Sequence, residues 1–216
     1  MSTNIGNLTT LSTRHNGPQQ SLSAPYDEFE KWHPRFYKES GDLVFRAESR
    51  LFKLHSHFLA DSSKGLRAAL KRVPESRFRG LRLSPLTLEG TVRGWECILL
   101  LFYGGNKSTA RQFTPDQWME ILPIAHEYGM KSIEAKGVAE LFFEPESNFD
   151  PVELLLLAKT IGSYDLYTRA LELTAKGQLL SYQAARMIGF EAFYKVTKER
   201  EKIAQKTGRR RRAGCY

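Results

Sequence analysis

Cysteine is scarce in this 216-residue chain: Cys97 lies within an apolar run and Cys215 one residue from the end. Two such residues cannot build a disulfide framework, which excludes a small disulfide-stapled secreted domain and predicts a reducing compartment. Long apolar runs are missing as well. The longest stretch of aliphatic and aromatic residues, 98–103, has six members, against the roughly 20 that span a bilayer. Charge and bulk are both low in the first 25 residues, where Ser, Thr, Asn, Gln or Gly fill 15 positions and Arg14 is the one charged residue. That stretch has no apolar centre of a signal peptide and no packing face, so a disordered leader over 1–25 is expected. A Gly-rich phosphate loop, HExxH, GxSxG and CxxC are all absent from the sequence, so no enzymatic activity, no cofactor and no metal are expected.

What is present is the composition of an ordinary globular protein, 41% hydrophobic, 12% aromatic and 26% charged, in a chain long enough to bury about 70% of its extended surface without staples. The net charge of +8 is unevenly placed. Residues 191–212 hold nine basic side chains (Lys195, Lys198, Arg200, Lys202, Lys206, Arg209, Arg210, Arg211, Arg212) against three acidic ones, and the rest of the chain is nearly neutral. The basic character therefore belongs to the C-terminal end.

Residues 42–47 (DLVFRA) and 51–54 (LFKL) predict a hairpin turning at Glu48, Ser49 and Arg50, and 81–83 (LRL) before Pro85 predict a third, edge strand. Three strands need a helical layer. Short helices are expected at 55–60 and 63–71, the second with Leu66, Ala69 and Leu70 on one face, and a longer one carries Trp95, Ile98, Leu99 and Phe102 up to Gly104 and Gly105. Thr114-Pro115-Asp116-Gln117 is a capping box with proline at the first helical position, with Phe113 and Trp118 placed as a hydrophobic staple. Its helix presents Trp118, Ile121, Leu122 and Ala125 on one face and stops near Gly129. A helix over 132–143 follows, then a second start at Asp150-Pro151-Val152-Glu153 leading into an all-apolar 154–157, and further helices broken at Gly162, Gly177 and Gly189. The last, over 190–206, is amphipathic and basic.

Several residues invite chemistry. His55, His57 and His126 raise a metal site, but rings two apart at a strand-to-helix junction diverge, and His55 is expected to satisfy backbone groups there. Cys97, between Trp95 and Ile98, is expected in the core, and Glu127 and Glu140 on solvated faces. Tyr26, Phe29, Trp32 and His33 fall on one side of a short predicted helix and need a surface to cover them. The run Lys206, Arg209, Arg210, Arg211 and Arg212 has no role in a core. It fits a solvated tail over 208–216, a nuclear-import signal, or contact with an anionic membrane or nucleic acid, with Cys215 open to palmitoylation.

The segment GDLVFRAESRLFKLHSHFLADSS at 41–63 resembles the opening of the BTB/POZ domain, with Asp42, Phe52, His55, Leu59 and Ser62 at the positions of the family pattern. WECILLLFYG at 95–104 is similar to the family's helix ending in an aromatic pair and glycine, and Leu122, Ala125, Tyr128, Met130 and Ile133 match its next helical pair in order. The likeness covers 36–143 and is greatest to fungal BTB proteins that open with HPRFY and continue into a helical extension. It implies an α+β fold: a BTB/POZ-like three-stranded sheet under a helical cluster over 26–144, then a helical C-terminal extension over 145–207. It also implies a non-enzymatic protein-interaction module in the nucleus or cytoplasm, self-associating as a homodimer through Tyr26, Phe29 and Trp32 ahead of the first strand. The hydrophobic-x-Glu stretch that contacts cullin in ligase adaptors has no match before Trp95, and Gly137 stands where the family often has a larger residue. A cullin adaptor and a nuclear, nucleic-acid-associated regulator acting through the basic tail are the alternatives.

Overall fold

A computed structural model describes residues 31–71, 85–104, 113–145 and 148–213. Tyr26 and Phe29, the leader, the strand expected at 81–83, and Cys215 lie outside them. Four strands form one sheet in the order β1-β3-β2-β4, with β1 at Lys31–Tyr37, β2 at Leu43–Ala47, β3 at Arg50–Leu54 and β4 at Leu86–Thr87. The hairpin β2–β3 pairs antiparallel from Leu43 opposite Leu54 to Ala47 opposite Arg50, as its turn residues predict. Glu48 takes the strained φ of 49° in that turn.

Two expectations are corrected here. Among the described residues the sheet has four strands rather than three, and residues 31–34 are strand rather than helix. Pro34 disfavours helical backbone at His33, and the aromatic, β-prone 32–37 finds a parallel partner in β3. The pairing is interrupted by a bulge: Trp32 sits opposite Leu51 and Tyr37 opposite Lys53. Inside it the backbone N–H groups of Arg35 and Phe36 donate to His33 Nδ1 at 3.3 and 3.2 Å. That leaves Nε2 to carry the ring proton and donate to Glu96 Oε1 at 2.5 Å.

The helices run in chain order as α1 (Ser56–Ser62), α2 (Lys64–Lys71), α3 (Val92–Tyr103), α4 (Pro115–Glu127) and α5 (Lys131–Phe143). The extension adds α6 (Pro151–Thr160), α7 (Tyr164–Lys176), α8 (Tyr182–Ile188) and α9 (Phe190–Ala213). Both halves of the predicted capping box are formed at Thr114 and Gln117, and Phe113 meets Trp118 edge-on at 5.3 Å. At the second start Asp150 accepts from Val152 N–H.

One cluster of buried side chains runs from Phe36 in the sheet to Val196 in α9. Its spine is a ladder of rings: His33 on Phe52 at 4.8 Å, Phe52 on Phe45 at 4.7 Å, Phe45 on Trp95 at 5.1 Å and Trp95 on Tyr128 at 5.5 Å. Gly137 is buried where α5 crosses α4, and a Cβ there would stand 2.7 Å from Trp118 and 2.8 Å from Leu122. Glycine at this position sets how closely the two helices approach.

Candidate functional site

The His55 and His57 rings lie 5.8 Å apart, tilted by 43°, rather than diverging as expected. His55 Nε2 meets the Ser40 hydroxyl at 3.0 Å and Nδ1 lies 3.3 Å from the Tyr103 hydroxyl, which also accepts from His55 N–H at 3.1 Å. The ring thus bonds side-chain hydroxyls rather than backbone groups, which corrects the expectation for it. The backbone of α1 is capped instead by Asp42, whose carboxylate takes Ser56 N–H and the Ser56 hydroxyl, each at 2.7 Å. Burial works against the Asp42 charge, but those two bonds, its own backbone N–H and nearby His55 together hold the carboxyl below its ordinary range. His57 meets Phe58 at 4.2 Å with the rings tilted by 35°, and His126 pairs with Glu134 at 3.0 Å. No group of three or more metal-binding side chains occurs among the described residues, and no helix among them is long and apolar enough to cross a membrane. Cys97 is buried, and Glu127 and Glu140 are exposed.

Of the residues expected to mediate self-association, Trp32 is half-buried on β1 with its ring 4.9 Å from Tyr37. Among the described strands β1 lies at an edge of the sheet, with Pro34, Arg35 and Tyr37 exposed on it. A proline that cannot donate, a charge and a bulge are the devices that block pairing at a sheet edge.

A run of unburied apolar side chains lies further along the chain, in 179–194. Leu179, Tyr182 and Phe190 are 87%, 85% and 85% exposed, with Met187 and Tyr194 more than half exposed. They lie before, on and after α8, around the corner at Gly189, whose φ of 81° lets α8 stop and α9 start at once. The corner is held firmly. Ile188, Ala192 and Val196 are buried beneath it. Lys159 of α6 donates to the Ile188 carbonyl at 2.9 Å, a cation on a helix C-terminus. Arg200 of α9 gathers the carbonyls at the end of α7, with Thr174 at 2.9 Å, Ala175 at 3.2 Å, Gly177 at 3.3 Å, and Gln178.

Beside the corner, α7 and α9 enclose a groove of about 300 Å³ walled by Tyr164, Tyr167, Leu171 and Tyr194 and rimmed by Lys195 and Lys198. Lys195 Nζ lies 5.2 Å from the centre of the Tyr167 ring and 2.6 Å from Glu191. That contact lowers the Glu191 carboxyl and raises the Lys195 ammonium from their ordinary values.

Lys206 is exposed on α9. The helix does not end at 206 as expected: its backbone continues to Ala213 and takes in Arg209, Arg210, Arg211 and Arg212. Sequence reading missed the corner because its apolar residues carry no local mark that separates a surface ring from a buried one. No family model matches the chain, and no curated protein matches it by sequence.

Proposed function

We propose that this chain is a non-enzymatic protein-interaction module of BTB type that self-associates through the corner between α8 and α9. The carrying observation is the exposure of Leu179, Tyr182, Met187, Phe190 and Tyr194 on a corner pinned by Lys159 and Arg200. Large exposed rings on a rigid support are what an interface anchor requires, because little entropy is lost on contact. The hairpin motif at 41–63, with Asp42 capping α1, and the helices that follow in the order of the resemblance support the BTB-type reading, which implies a second copy as the first partner. Tyr26 and Phe29, two of the three anchors expected ahead of the sheet, lie outside the described residues.

The test is light scattering on the unmodified chain and on the double variant Tyr182→Asp/Phe190→Asp. The expected result is a two-chain mass for the former and a one-chain mass for the latter, with unchanged melting temperature. A one-chain mass for the unmodified protein, or a two-chain mass for the variant, contradicts the reading.

A further inference from the structure

We infer that the C-terminal end of α9 is a cationic helical segment that binds the phosphodiester backbone of nucleic acid. Ile203 packs on the core, the next three side chains of α9, Ala204, Gln205 and Lys206, are exposed, and the helix backbone continues to Ala213. The ten residues of helix after Ile203 span about 15 Å along the axis. Upstream the lysines of α9 are paired, Lys195 with Glu191, Lys198 with Glu201 and Lys202 with Glu199, and Arg200 is taken up by carbonyls. Past Glu201 there is no acidic residue, and Lys206, Arg209, Arg210, Arg211 and Arg212 follow without a counter-charge in the sequence.

Five charges over six helical steps amount to about one per 1.8 Å of axis, close to the roughly one per 1.7 Å along duplex nucleic acid. Like charges three and four apart repel each other along a helix, while cations near its C-terminus favour the helix dipole. A polyanion removes the first effect and leaves the second, so binding and helix formation support one another. Arginine suits phosphate, since its planar fork donates two parallel bonds. An anionic membrane fits less well: residues 204–213 contain no apolar side chain larger than alanine, and a helix lying in a bilayer interface needs an apolar face. Gly208 sits inside the helix just before the arginines, a weak point that lets conformation be tested apart from charge.

The experiment uses the full chain and a fluorescein-labelled mixed-sequence DNA duplex, followed by anisotropy over a salt series, with phosphatidylcholine/phosphatidylserine vesicles as a parallel arm. The expected log K against log salt slope is about −4, falling to about −1 when all four arginines are changed to glutamine. At constant charge, Gly208→Ala should tighten duplex binding by up to about fivefold, and Gly208→Pro should weaken it at least about tenfold. An unchanged slope in the glutamine variant shows that the duplex binds elsewhere. Equal affinity of the alanine and proline variants shows that the run binds as an extended chain. Vesicle binding that exceeds duplex binding assigns the end to membranes. Each of these three overturns the proposal.

Discussion

Asp42 shows how one side chain can tie a strand to a helix. It precedes β2, yet its carboxylate caps α1 through Ser56. Replacing it with alanine leaves an orphan N–H at the start of α1 and should cost about 1–2 kcal/mol in urea unfolding at neutral pH. Because the folded carboxyl titrates below its unfolded value of about 3.9, its contribution is complete above that pH and disappears as pH falls through the lower folded value. The gap between the parent and Asp42→Ala should therefore close in strongly acidic buffer, and a gap that stays constant with pH contradicts the cap. Gly137 makes the opposite argument, from space. Alanine there meets Trp118 and Leu122, an overpacking cost of about 1–3 kcal/mol against a helix-propensity gain of about 1. A net loss of stability in urea is expected, and a gain would show that α5 can move away from α4.

Among the elements, the ring ladder from His33 to Tyr128 joins β1, β3, β2, α3 and the end of α4. Phe52 stands in its middle, fully buried. Phe52→Ala should cost about 3–5 kcal/mol and leave little folded protein, as judged by near-ultraviolet circular dichroism and yield. What was readable in the sequence is what is local. Thr114 and Gln117 complete their capping box within four residues, and the 42–54 hairpin is two short β-prone runs on either side of a polar turn. β1 was not readable: its His33-Pro34 bulge breaks the two-residue period, and its partner strand pairs in parallel from 19 positions away at Lys31 and Arg50. The end of α9 was not readable either, since Gly208 and four arginines carry no apolar face from which to infer a helix.

At the scale of the molecule, a single buried cluster runs from the sheet into α9, so the exposed corner at Gly189 rides on the same core as the hairpin motif. The order of the helices could be anticipated from spacing, but where the surface stays apolar depends on which rings the packed core leaves outside. Amide hydrogen exchange, run below and well above the concentration at which light scattering detects association, tests the central claim most directly. The account predicts that added protection at the higher concentration falls on residues 179–194 and leaves 31–37 unchanged. Protection that grows on 31–37 while 179–194 exchanges at the same rate at both concentrations contradicts it.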